Sequence, residues 1–144
     1  MGELYGNISP MLDISPFTSA IQRLDEGMVR YLADTSDTQI RDGLIQRFEF
    51  TYELSHKMLK RYLESVAASP DEFDRTEFAY LIRTANEQGL LLGDWTKWKI
   101  YRDMRAKTSH TYDEDVALVV VAGIAAFQQE VHHLHQKISA RLLG

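Results

Sequence analysis

The stretch DTQIRDGLIQRFEFTYELSHKMLKRYLESV, residues 37–66, decides the fold. Ile40, Leu44, Phe48, Tyr52, Leu59, Tyr62 and Val66 recur along it at the spacing of one helix face, not of a strand. Asp37 stands where an N-cap belongs, and Ser69-Pro70 closes the run. Phe50, Leu54 and Met58 form a further apolar row, each four residues from the last. Two apolar stripes call for two partners. The first is the helix's own bundle. The second is either another subunit or the rest of the same monomer.

The same logic extends outward in both directions. Toward the N-terminus, Ser15-Pro16 reads as an N-cap followed by proline at the first helical position. That helix carries Ile21, Leu24, Met28 and Leu32 inward and stops at the polar run Asp34–Asp37. Toward the C-terminus, Arg75 to Glu87 fits a shorter helix with Phe78, Leu81, Ile82 and Ala85 inward and Gly89 as its stop. Asp94 caps a fourth helix bearing Trp95, Trp98, Tyr101 and Met104. Thr111-Tyr-Asp-Glu114 is a Thr-x-x-Glu capping box that opens the last helix. Its stripe is Val116, Val120, Ile124, Phe127, Val131, Leu134, Ile138 and Leu142. No segment alternates like a strand, and no repeat or linker interrupts the chain. The expectation is one all-α domain over 1–144, an antiparallel bundle of about five helices.

Composition narrows the function. With 144 residues the chain buries a core unaided, and without cysteine it has neither disulfides nor thiolate metal sites. The first residues lack a basic region followed by an apolar run, so no secretory signal is expected. The longest apolar stretch, Ala117 to Phe127, is too short to span a bilayer, so no membrane association and a cytoplasmic location are expected. A net charge of −5 argues against a protein that coats nucleic acid. It leaves room for one local basic site: Lys97, Lys99, Arg102, Arg105 and Lys107 face only Asp94 and Asp103 in their segment.

Where the fourth helix gives way to the fifth, the chain reads Arg105-Ala-Lys-Thr-Ser-His110-Thr-Tyr112. A guanidinium binds phosphate and stays charged, and an imidazole moves protons near neutrality. RNA brings its own nucleophile, the 2′-OH. A proton-transfer group and an anion stabiliser therefore suffice without a metal, leaving a cyclic phosphate. Spacing alone makes this a weak signal, since a histidine at a helix end more often caps carbonyls. Glu49, Glu53, His56 and Lys60 share a face of the second helix. They form either a solvated face with a Glu53–Lys57 ion pair, or a cleft wall in which Glu49 and Glu53, with Arg102, orient the arginine or histidine. His132, His133 and His135 beside Glu130 read as a surface cluster rather than a metal site. Trp95 and Trp98 read as core anchors rather than base-stacking platforms.

Arg105 to Tyr112 matches the Arg-x4-His-x-Tyr signature of the HepT-like toxins of the HEPN superfamily, and Gln46-Arg-Phe-Glu-Phe-Thr-Tyr-Glu-Leu54 resembles that family's second-helix segment. The likeness runs from the second helix through the start of the fifth. It implies a HEPN-like homodimer whose paired sites face a shared cleft, and a metal-independent endoribonuclease acting on tRNA or mRNA. Under it, Arg105 holds the scissile phosphate and His110 is the general acid or base. The implied partner is a minimal nucleotidyltransferase antitoxin, which transfers AMP from ATP to Tyr112; the chain itself needs no cofactor. The family is also described as nucleotidyltransferase substrate-binding proteins, so a non-catalytic adaptor is the alternative. Two positions depart from the pattern. Ala106 stands where a polar residue usually follows the motif arginine, and His56 stands where tryptophan is common.

Overall fold

The computed structural model describes residues 12–69, 73 and 77–143. Among the described residues five α-helices run α1 Ser15–Ala33, α2 Thr38–Val66, α3 Phe78–Glu87, α4 Trp95–Lys107 and α5 Glu114–Leu143, with a short 3-10 turn, Thr108–His110, joining the last two. There is no strand among the described residues. Asp37 caps α2 by accepting from Gln39 N and Ile40 N, both at 3.0 Å. Asp94 caps α4 through Thr96 N at 3.0 Å. Gly89 ends the α3 segment at φ +75°, a conformation that favours glycine.

Several boundaries differ from expectation, each for a local reason. α1 begins at Ser15 with Ile14 in the capping position, because the Asp13 carboxylate already takes the Ser15 N–H at 3.0 Å. The capping box before α5 does not form. Asp113 accepts from Asp115 N (2.9 Å) and Val116 N (3.3 Å), freeing Glu114 for a long-range partner. Leu32 and Val66 lie exposed at helix ends, and Tyr31 takes the inward place expected of Leu32, since the inward face of α1 advances Ile21, Leu24, Met28, Tyr31. The predicted start of α3 at Arg75 lies outside the described residues. Trp98 is wholly buried, as expected of a core anchor, while Trp95 is half-buried.

α5 is the spine of the bundle: its stripe from Val120 to Ile138 is buried against the other helices. At 30 residues, with a window of mean hydropathy 1.2, it would be long and apolar enough to cross a membrane by composition alone. Its apolar stripe is here the protein's own core. Phe127 is the centre, with ring centroids of Phe48 at 4.9 Å, Tyr101 at 5.3 Å, Tyr52 at 6.2 Å and Trp98 at 6.3 Å. These edge-on and tilted contacts suit aromatic quadrupoles. The second row of α2 splits: Met58 is buried, Leu54 is half-buried and Phe50 is 55% exposed. A four-residue step overshoots a 3.6-residue turn, so the row winds from solvent into the core.

Two polar contacts tie the ends of the bundle. Arg41 on α2, almost wholly buried, donates through Nη1 to Glu114 Oε2 (2.7 Å) at the start of α5. Glu130, also buried, accepts Leu92 N at 2.8 Å on one oxygen and Gly93 N at 2.7 Å on the other. It thereby holds the loop that launches α4. Burial pushes the Glu130 pKa above its ordinary 4.5, and the two N–H groups oppose that shift.

Glu130→Gln should lower stability by about 1–3 kcal/mol, because an amide accepts on one oxygen only and sets its N–H₂ against a backbone donor. The sign of the pH dependence follows from the raised pKa. The folded state holds the Glu130 proton more tightly, so this group's contribution falls as pH rises from about 4.5 through the folded value. The deficit of the variant should therefore be largest near the low end of that window and narrow above it, in urea unfolding at several pH values. In the same assay Gly123→Ala should cost on the order of 1 kcal/mol. Its new Cβ would stand 2.5 Å from Met104 Sδ, and the pliant thioether end of Met104 absorbs part of the strain.

Candidate active site

The corner between α4 and α5 is held by its own backbone and short side chains. Thr108 Oγ1 donates to Arg105 O (2.7 Å) and accepts from Arg105 Nη1 (3.2 Å). Asp113 N donates to His110 O at 3.1 Å, and the turn packs against both α2 and α5. His110 is exposed, and Tyr112 stands out with 87% of its surface in solvent. Their ring centroids lie 6.1 Å apart at 69°. One corner thus presents an imidazole and a free phenol, with Arg105 at the end of the helix leading into it.

Arg105 is met from across the bundle by α2. Its Nε and Nη2 both donate to Glu53 Oε2, at 2.8 and 2.5 Å, and Nη2 lies 3.1 Å from Glu49 Oε2. The three side chains are partly exposed, at 29% for Arg105, 58% for Glu53 and 36% for Glu49. The expected Glu53–Lys57 pair is replaced by this contact, and the i,i+4 pair on that face is Lys60–Glu64 at 4.0 Å. A salt bridge to a rigid neighbouring helix costs less side-chain entropy than one between two mobile surface chains.

Arg102, expected near the same cleft, lies with its guanidinium 5.0 Å from the Trp95 ring centroid. His56 packs edge-on to Phe78 at 4.6 Å, and burial pushes its pKa below the ordinary 6.5. Tyr52, behind the site, is pushed up to about 12 by burial. The C-terminal histidines belong to the α1–α5 seam: His132 lies 2.8 Å from Asp25, and His135 lies 2.6 Å from Thr18. Sequence reasoning missed Thr108 as a partner of Arg105 and missed the Arg41–Glu114 tie. Thr108 lay inside the quoted motif, where only its distance from a helix end hinted at a role. The Arg41–Glu114 contact joins positions 73 residues apart, and no local pattern signals it.

A groove of about 1100 Å³ runs between α1 and α2, with Arg23, Arg47, Phe50, Glu53, Leu54 and Lys57 on its walls. Glu53 is common to the groove and the arginine site.

Comparison with known proteins bears on the fold and the family. Residues 12–140 match the family model described as nucleotidyltransferase substrate binding protein like. The chain is 46% identical over 99 residues to a probable ribonuclease HepT of Haemophilus influenzae, covering 69% of this chain and 67% of the relative. It superposes with a TM-score of 0.82 and 35% identity on HI0074 of the same organism, described as a substrate binding domain of a nucleotidyltransferase. That match covers 88% of this chain and 99% of HI0074. With a helical bundle that superposes on HI0074 and a family match spanning nearly all of its length, the chain belongs to the HepT-like, nucleotidyltransferase substrate-binding family.

Proposed function

We propose that this protein is the toxin of a two-component toxin–antitoxin pair, a metal-independent endoribonuclease of the cytoplasm that cuts tRNA or mRNA. The observation that carries the reading is the α4–α5 corner, where Arg105 stands beside the turn that bears His110 and Tyr112. Arg105 would bind the scissile phosphodiester and offset the charge that develops on it. His110 would exchange the proton that transphosphorylation by the 2′-OH requires. No cofactor enters this chemistry.

Control would fall to a minimal nucleotidyltransferase partner. The Tyr112 phenol oxygen would attack the α-phosphorus of ATP, forming tyrosyl-AMP and releasing pyrophosphate. Its exposure suits it to a second enzyme's active site. A nucleotide beside His110 would then block the cleft and repel RNA phosphates. The working unit would be a homodimer with its two sites on a shared cleft, since Phe50 and Leu54 leave apolar surface on the groove that also carries Glu53.

The adaptor reading draws on two observations of its own. Ala106 follows Arg105 on α4 and offers no hydrogen bond to substrate or histidine, and the chain as a whole is acidic. An adaptor would present a substrate to the nucleotidyltransferase and cut nothing.

Purified protein with a bare Tyr112, confirmed by intact mass, should cleave mixed tRNA or mRNA in EDTA. Arg105→Ala and His110→Ala should each reduce that cleavage by about 100-fold or more. Equal background from all three proteins on both RNAs would leave the adaptor. Tyr112→Phe should retain cleavage yet gain no AMP when incubated with the cognate nucleotidyltransferase and ATP. AMP on another residue of that variant would refute Tyr112 as the acceptor.

A further inference from the structure

Transphosphorylation moves two protons in opposite directions. The 2′-OH loses one as it attacks phosphorus, and the departing 5′-oxygen gains one. The entering and leaving oxygens are roughly in line, on opposite sides of the phosphorus. A single imidazole serves one of these positions, so His110 needs a counterpart.

We propose that Glu53 is the general base, taking the proton of the ribose 2′-OH, while His110 is the general acid; this rests on the ribonuclease reading above. In the step, the 2′-O–H bond breaks and its proton passes to the Glu53 carboxylate. The 2′-oxygen bonds to phosphorus and the P–O5′ bond breaks. The leaving oxygen takes the His110 proton. The products are a 2′,3′-cyclic phosphate and a free 5′-hydroxyl.

The geometry at Arg105 carries this assignment. A guanidinium has five N–H donors. Here Nε and Nη2 point to Glu53, Nη2 also meets Glu49, and Nη1 reaches Thr108. A phosphate that binds Arg105 joins through Nη1, displaces the longer Glu49 contact from Nη2, or displaces Glu53. In each case it comes to rest beside the Glu53 carboxylate, and the 2′-OH is the next group along the ribose. Both Arg105 bonds end on Glu53 Oε2, and among the described residues Oε1 accepts no hydrogen bond. Arg–carboxylate pairs are frequently side-on, with both oxygens engaged. This one is held by one oxygen, with the other left over in a side chain that is 58% exposed. Glu49 is longer in its contact, at 3.1 Å, and less exposed at 36%. The charged and titratable groups around Glu53 are Arg105 from α4, and Glu49, Tyr52, His56 and Lys57 from α2.

The test compares wild type, Glu53→Gln and Glu49→Gln on an RNA substrate in EDTA, with kcat and KM measured from about pH 4 to pH 8 to span the carboxylate and imidazole ranges. If Glu53 is the base, Glu53→Gln loses about 100-fold or more in kcat. Its KM stays level or falls, since Arg105 is released toward phosphate. Its profile also loses the rise on the acid side that wild type shows, and formate restores rate to Glu53→Ala. Glu49→Gln keeps that rise. A Glu53→Gln enzyme that keeps the acid-side rise and loses rate through KM would overturn the assignment and leave Glu53 as a positioning residue. Wild type that cleaves no RNA would overturn the ribonuclease reading first and this inference with it, so the two failures are told apart by the wild-type lane alone. Because Glu53 is largely in solvent, its substitution leaves the core untouched.

Discussion

One buried carboxylate fixes where Arg105 and the α4–α5 corner stand. Glu130 lies in the middle of the apolar stripe of α5, and its two oxygens take the N–H groups of Leu92 and Gly93. Gly93 must come this close, since a Cβ there would stand 2.7 Å from Lys97 Cβ and 3.0 Å from a Glu130 oxygen. The loop is thus pinned one residue before Asp94, the cap of α4. From that point α4 has a set origin and a set rotation, which Trp98, Tyr101 and Met104 lock by burial. Arg105 follows Met104 on the helix, and its direction toward α2 is settled by the time the helix reaches it. A polar group in the core is costly unless both its oxygens are satisfied, and here the satisfied group converts burial into position.

The electrostatics at Arg105 are those of a partly solvated, exchangeable pairing. Two carboxylates face one guanidinium, and all three side chains keep part of their surface in water. Pairs in that setting contribute about 0–1 kcal/mol net, because water screens them and competes for every donor. The pairing therefore aims the arginine without committing it. A phosphodiester entering the site exchanges one screened anion for another. The Arg41–Glu114 pair differs on the arginine side: the Arg41 guanidinium is nearly dry, and the bond to the 63% exposed Glu114 carboxylate raises the Arg41 pKa above its ordinary value. Removing Glu114 would leave the buried guanidinium only its longer contact with Asp42 at 3.4 Å, so this arginine is held more firmly than Arg105.

What the sequence disclosed about the fold was whatever lay within a few residues. The two carboxylate caps at Asp37 and Asp94 and the glycine at 89 all act locally, and all were legible. The Val120–Ile138 stripe was legible because nineteen residues of helix repeat one face. Misreadings arose where two local candidates competed. Thr111 with Glu114 looked like a capping box, but Asp113 lay nearer the helix start and Glu114 had Arg41 to bind. The same holds at Glu53. Its sequence neighbour Lys57 was the obvious partner, and Arg105, 52 residues away, took the contact instead. Long-range pairing depends on how helices pack, and no window of one helix contains it. The motif residues Arg105, His110 and Tyr112 were found by resemblance; their spacing alone did not separate a site from a helix end.

The corner that carries them reconciles two demands that usually conflict. A catalytic or modifiable side chain must be open to a large partner, while its backbone must not wander. Between Arg105 and Val116 the side chains of His110 and Tyr112 lie outside, yet the backbone is tied at nearly every step. Thr108 bonds back to Arg105, Thr111 to Thr108 at 3.4 Å, and Asp113 N to His110 O. Asp113 caps α5, and Glu114 is anchored on buried Arg41. Each bond is short in sequence except the last, which fastens the whole turn to α2, the helix that also supplies Glu49 and Glu53. The carboxylates and the histidine turn therefore ride on one rigid frame. A nucleotide added at Tyr112 would change the charge and access of that frame without reaching any group in the core.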